Sequence, residues 1–193
     1  MGGTVQPQWL MEATTMDVIL KRRSEMTRAE LEAFWDLEDI VYPDGLGGPP
    51  ELEQVKWADP ESDICIRDDS GVLVSHAGIL ERDALLDGSP LRIAGIAEML
   101  THPEYRRRGY GAAALREAAR VMRDDLQAPF ALLVCPATAI PFYASLGWRR
   151  FTGALLAEVD GGMEPFADSA WMVLPLMTDA PVDGVLDLQG IPW

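Results

Sequence analysis

The segment from Leu91 to Arg123 constrains this chain more than any other part of it. An extended apolar run, Leu91 to Thr101, is stopped by His102-Pro103-Glu104-Tyr105. Arg106-Arg107-Arg108-Gly109-Tyr110-Gly111 follows, and then Ala114, Leu115, Ala118, Val121 and Met122 recur at helical spacing. The segment reads as a strand, a basic glycine-bearing loop and a helix. The first amides of such a helix have no partner inside it and point outward. The helix dipole adds about half a positive charge at that end. Gly109 and Gly111, lacking side chains, let phosphate groups come close to those amides. The loop is therefore a candidate diphosphate site. It lacks the Gly-Lys-Ser/Thr ending of a P-loop, which argues against nucleoside triphosphate hydrolysis.

The rest of the chain supplies strands and helices to go with it. Val18 to Lys21 is a short candidate strand, and Thr27-Arg28-Ala29-Glu30 is a capping-box pattern. Leu31, Phe34, Trp35, Leu37 and Val41 continue at near-helical spacing, so a helix is expected to about Asp39. Pro43 to Pro50 reads as a loop, because its glycines and prolines defeat both regular structures. Asp63 to Arg67 and Val72 to Glu81 read as strands joined through Asp68-Asp69-Ser70-Gly71, and Asp87-Gly88-Ser89-Pro90 marks the next turn. Phe130 to Cys135 is uninterruptedly apolar, as expected of a central strand covered on both faces. Thr138 to Leu146 reads as a short helix stopped at Gly147. Leu155 to Val159 and Trp171 to Leu176 complete the strands. Met1 to Thr15 reads as a loose leader and Met177 to Trp193 as an irregular tail. The order describes an α/β (α+β) fold, a mixed sheet with helices on its faces, forming a single domain over residues 16–193.

Charge and composition narrow the partners. A net charge of −15 repels nucleic acid and anionic membrane and attracts cations, although acidity is also a common solubility device. No run approaches the ~18 apolar residues of a membrane helix, and the start of the chain lacks a signal-peptide pattern, so a cytoplasmic protein is expected. Cys65 and Cys135 lie in apolar runs and read as buried packing thiols. His76 and His102, without a third ligand, read as structural, and no metal is expected.

The basic loop also carries a resemblance. Arg106-x-x-Gly109-x-Gly111 matches the R/Q-x-x-G-x-G/A signature of the GNAT acetyltransferases, and THPEYRRRGYG (101–111) and PFYASLGW (141–148) resemble the flanking segments of that family. The resemblance covers roughly Ser62 to Leu176. It implies a GNAT fold whose central sheet splays beside the strand before the loop, with acetyl-CoA as co-substrate in the gap. It implies that Met99, Leu100 and Thr101 offer backbone groups to pantetheine, and that Arg106, Arg107, Arg108, Gly109, Tyr110 and Gly111 hold the diphosphate. Pairing as a homodimer is implied as well.

The same resemblance assigns chemistry. Tyr143 matches the tyrosine that faces the acyl-CoA sulfur in this family. A phenol with a pKa of about 10 is protonated at neutral pH and can give its proton to a leaving thiolate. A primary amine with a pKa near 10.4 is mostly protonated, and freeing its lone pair at pH 7 costs about 4–5 kcal/mol at about 1.36 kcal/mol per unit. A base is therefore expected, and Glu98, near the end of the strand before the loop, is the candidate. Simple alternation sets its neighbours Ala97 and Met99 together on the opposite face.

Finer likenesses bear on the acceptor. VLVSHAGIL (72–80), FYASLGW (142–148) and a final tryptophan resemble the aminoglycoside 2′-N-acetyltransferases. THPEYRRRGYG also resembles the enhanced-intracellular-survival acetyltransferases, in which a C-terminal carboxylate is the base, and Trp193 stands in that place. The chain departs from the aminoglycoside enzymes at Ile191, where they carry an acidic residue, and at Ala97, where they carry a strand carboxylate. The implied function is transfer of acetyl from acetyl-CoA to an amine of a cationic small molecule, aminoglycoside-like or polyamine-like. Asp36, Asp39 and Glu98 are the candidate acceptor-binding carboxylates, with Glu38 and Asp44 in the same acidic cluster. Two alternatives stay open: a GNAT-fold module that senses acyl-CoA or a small cation without turnover, and an acetyltransferase of a protein or peptide amine.

Overall fold

A computed structural model describes residues 16–43, 45, 55–159, 161–166 and 170–193. The leader expected over residues 1–15, most of the loop from Pro43 to Pro50, and Asp44 lie outside the described residues. The chain runs β1 (Asp17–Arg22), α1 (Arg28–Val41), β2 (Ser62–Arg67), β3 (Leu73–Leu86), β4 (Ser89–Thr101), α2 (Tyr110–Asp124), β5 (Phe130–Cys135) and α3 (Ile140–Ala144). It continues β6 (Arg149–Phe151), β7 (Ala154–Val159), β8 (Gly162–Pro165), β9 (Ala170–Pro175) and β10 (Val185–Asp187).

Local chemistry accounts for most of these elements. The Thr27 hydroxyl accepts from the Glu30 amide while the Glu30 carboxylate accepts from the Thr27 amide, so α1 begins at a complete capping box. The β3–β4 hairpin turns on Asp87-Gly88, both left-handed, which is the twist a two-residue hairpin loop requires. Five of the six residues of β5 are buried, as its unbroken apolar run demands.

Among the described residues the strands form one ten-stranded sheet. Its central order is β1-β2-β3-β4-β5-β9-β6, and β10, β7 and β8 branch from the far end of β3. β4 with β5 and β7 with β10 are parallel, and the other pairs are antiparallel. One face is covered by α2 and α3. Ala114, Leu115, Ala118, Met122, Tyr143 and Trp148 pack there against Ile64, Val74, Ile96 and Leu133. The other face carries α1, whose Phe34 and Leu37 pack on Cys65, Leu73 and Leu100. Beside it lies the tail, where Leu186, Leu188 and Trp193 pack on Ile93, Ala97, Leu132 and Val173.

The tail expected to be irregular thus contributes a strand. Leu186 pairs with Leu86 of β3 and with Leu155 of β7, bridging two strands far apart in sequence. Val185-Leu186-Asp187 is too short to show a period, and its conformation comes from partners rather than local pattern. β6 and β8, also unmarked in the sequence, are short too, at three and four residues.

Candidate active site

β4 and β5 hydrogen-bond only where Ala94–Ile96 meets Ala131–Leu133. Beyond that point β4 stays with β3 as far as Thr101, and β5 stays with β9 as far as Cys135. The two central strands therefore part, and the main-chain groups of Ala97 to Thr101 on that edge face a gap instead of a strand. On the β3 side the Leu100 carbonyl accepts from the Ser75 hydroxyl at 2.7 Å, and the Thr101 carbonyl accepts from the Arg106 guanidinium at 3.2 Å.

β4 bulges at the same place. Its register against β3 passes from Gly78↔Ala97 to His76↔Leu100, so Glu98 and Met99 stand opposite Ala77 alone. Glu98 takes φ +49°, a left-handed conformation that costs a residue with a Cβ about 1–2 kcal/mol. The His76 Nδ1–H donates to the Glu98 carbonyl at 2.8 Å and fastens the bulge. The extra residue breaks the alternation of side chains. Ala97 packs with the tail and Met99 with the α2 face, so the expectation that they share a face is corrected by the bulge.

The basic loop forms an anion cradle. Gly109, the N-cap of α2, has φ +92° and Arg107 has φ +61°, so amides along this turn are turned to one side. Among the described residues, no oxygen accepts from the amides of residues 107–112. Gly111 lies where α2 crosses β4, and a Cβ there would meet Thr101 Oγ1 at 2.9 Å and Met99 Cε at 3.2 Å. Arg108 lies over the Tyr105 ring, 5.3 Å from its centroid, and Arg106 is bent back to the Thr101 carbonyl, so of the three loop arginines Arg107 has no partner among the described residues.

Below the bulge lies a charged cluster that sequence patterns did not single out. Arg23, just after β1, donates through Nε to both Asp63 oxygens at 3.0 and 2.9 Å and through Nη2 to Oδ1 at 2.5 Å. The same Nη2 pairs with the Glu98 carboxylate. His76 Nε2 lies 2.8 Å from Asp63 Oδ1, and both His76 and Asp63 are fully buried. Each ring nitrogen of His76 thus faces an oxygen that accepts, and both bonds close when both nitrogens carry a proton. Burial alone would raise the Asp63 pKa, yet hydrogen bonds from His76 and Arg23 hold it below its ordinary value. Asp63, His76 and Glu98 bring ligand atoms within 4.8 Å of one another, a grouping that could hold a metal, but the Arg23 guanidinium already bonds both carboxylates. His76, read as structural, is thus a bonded member of this cluster, while His102 caps the turn at Glu104.

α1 brings further groups to the cluster. Phe34 packs edge-on against His76 at 4.7 Å and beneath Arg23 at 5.0 Å. Glu38, one turn on, is half-buried, and its pKa is raised by burial first and then by the like charges of Glu98 and Asp39. Tyr42 is next along that face, its phenol raised by burial and by Glu38 and lowered by Arg106. Asp36 and Asp39, by contrast, lie on the exposed side of α1.

Tyr143 lies across the gap on α3. It is 6% exposed, packs against Trp148 at 6.2 Å, and burial pushes its phenol well above the ordinary value. Cys135 ends β5 nearby, and burial raises both it and Cys65 to about 11. Trp193 is on the opposite face of the sheet from Tyr143, its indole N–H donating to the Leu132 carbonyl at 3.3 Å and its ring beneath Arg82 at 5.0 Å.

In fold the chain is similar to Escherichia coli ElaA, with 18% identity, a TM-score of 0.59 and coverage of 83% of this chain and 99% of that one. It is similar in fold also to the E. coli GNAT family N-acetyltransferase YhbS, solved in complex with CoA, at 12% identity and a TM-score of 0.58 over 96% and 93% of the two chains. The family model described as "Acetyltransferase (GNAT) domain" matches residues 23–151. The chain belongs to the GNAT family and is an N-acetyltransferase. It is 26% identical over 165 residues to an aminoglycoside 2′-N-acetyltransferase of Mycolicibacterium fortuitum, covering 84% of this chain and 76% of that protein. No helix among the described residues is long and apolar enough to cross a membrane.

Proposed function

We propose that the protein transfers acetyl from acetyl-CoA directly to an amine of a cationic small molecule, aminoglycoside-like or polyamine-like. The observation that carries this reading is the pairing of two unlike surfaces at one gap. The free amides of residues 107–112 suit a diphosphate, whereas Glu98 and Glu38 together suit an ammonium group. Pantetheine then runs along the open edge of β4 at Met99, Leu100 and Thr101, with Arg106 to Gly111 at the diphosphate. Asp36 and Asp39 extend the negative surface outward from Glu38 and attract the remaining charges of a polycation.

Tyr143 is the proton donor to the thiolate, since a phenol raised by burial stays protonated until the sulfur departs. Direct transfer is favoured over a thioester on the protein because both cysteines are buried thiols with pKa values near 11, poor nucleophiles at neutral pH. The likeness to an aminoglycoside 2′-N-acetyltransferase supports the substrate class. The test is thermal stabilisation and thiol release with acetyl-CoA across aminoglycosides, polyamines and basic peptides. Stabilisation with thiol release on a small polycation is expected. Release on basic peptides alone would replace the small molecule by a protein amine, and stabilisation without release would leave a sensing module.

A further inference from the structure

We infer that Glu38 of α1 takes the proton from the acceptor ammonium, while Glu98 holds that ammonium in place. The inference rests on the acyltransferase reading above and assigns a role within it. Glu98 is poorly placed to be the free base, because Arg23 bonds its carboxylate and the bulge fixes its backbone. Arg23 is itself held by Asp63, which His76 also bonds, so the Glu98 carboxylate is one end of a fixed chain of charges.

Glu38 differs on each count. Among the described residues nothing donates to its carboxylate, and it lies on a half-buried face of α1. Residues four apart on a helix share a face, so Phe34, Glu38 and Tyr42 form one stripe. Phe34 at one end touches His76 and Arg23, the partners of Glu98. Tyr42, the residue that caps α1, packs at the other end on the cluster of Leu73 and Leu100, whose strand edge borders the gap. Glu38 therefore stands on the α1 side of the gap, along the stripe that reaches from the partners of Glu98 to Leu100. The charged and titratable groups around it are Glu98 of β4, its chain neighbour Asp39, Tyr42 just after α1, His76 of β3, and Arg23 after β1. Burial first, and then the like charges of Glu98 and Asp39, hold its proton affinity up, which a base needs.

The proton and electron count closes as follows. The Glu38 carboxylate takes a proton from R–NH3+, and the freed nitrogen lone pair forms a bond to the thioester carbonyl carbon. The carbon–sulfur bond breaks, and the departing thiolate takes the Tyr143 proton. The acetylated nitrogen gives its surplus proton back to Tyr143, and Glu38 releases its own to water. The products are the amide, CoA thiol and one proton.

The experiment is the pH profile of kcat/KM from about pH 5 to 10 for wild type, Glu38→Gln and Glu98→Gln. The acceptor is the most active amine of the aminoglycoside, polyamine and peptide panel. Wild type should rise through a limb above the ordinary carboxylate range of about 4.3. Glu38→Gln should lose about 100-fold or more at pH 7 and regain rate about tenfold per pH unit as the amine deprotonates. Its melting temperature and its stabilisation by acetyl-CoA should match wild type, separating a lost base from a lost fold. Glu98→Gln should raise KM for the amine and keep the limb. A Glu38→Gln enzyme within threefold of wild type with the same profile overturns the assignment, and loss of the limb in Glu98→Gln moves the base there. A wild type that acetylates no amine of the panel overturns the acyltransferase reading and this inference with it.

Discussion

Single residues at the gap are held by packing more than by polar contacts. Tyr143 is enclosed by Trp148 and Phe142, so replacing it by phenylalanine should leave the core nearly unchanged. Tyr143→Phe is expected to lower kcat by about 100-fold or more with unchanged stabilisation by acetyl-CoA, read by steady-state rates and a melting shift. An unchanged kcat would remove the phenol from the reaction. Gly111 tests the other half of the site, because any Cβ there presses on Thr101 Oγ1 at 2.9 Å. Gly111→Val is expected to abolish the melting shift with acetyl-CoA while the apo protein still unfolds cooperatively, and a circular-dichroism melt separates the cradle from the core. Cys65 and Cys135, both buried and raised to about 11, should resist a thiol reagent at pH 8 until the protein is denatured. Rapid labelling of either in the folded protein would contradict their burial.

At the scale of elements, the β4 bulge and the cluster beneath it act together. Asp63 titrates below its ordinary value, and a carboxyl depressed in the folded state adds stability above its unfolded pKa of about 3.9. That stability is lost as pH falls through the lower, folded value. Asp63→Asn should cost about 3–5 kcal/mol at pH 7, because it strands Arg23 and His76 beside one carboxylate. In urea unfolding the gap from wild type should narrow below about pH 4, and a gap independent of pH would show that charge is not its cause. This element also marks what sequence could and could not convey. The Thr27–Glu30 capping box, the Asp87-Gly88 turn and the run from Phe130 to Cys135 were legible because local chemistry decides them. So was the anion loop, since its glycines and arginines lie within one turn of chain. The bulge was not, because its extra residue exists only relative to β3. Nor was the Arg23–Asp63–His76–Glu98 cluster, whose members are joined across 75 residues of sequence.

The whole molecule depends on its last residues. Leu186 and Leu188 are fully buried and Trp193 is 2% exposed, and truncating such side chains costs about 2–5 kcal/mol each. A domain's total stability is about 5–15 kcal/mol. A chain ending at Gly184 is therefore expected to lose its cooperative thermal transition, monitored by near-ultraviolet circular dichroism; a normal transition would mean the tail is ornamental. The placement of β10 also carries a consequence for biosynthesis. Leu86 pairs with Leu186, one hundred positions later, so the strand that closes this part of the sheet is translated last. At about 5–20 residues per second, the nascent chain leaves Leu86 without this partner for about 5–20 seconds. A chaperone that recognises exposed aliphatic side chains has its opportunity in that interval, and slow codons between those for Leu86 and Leu186 would prolong it.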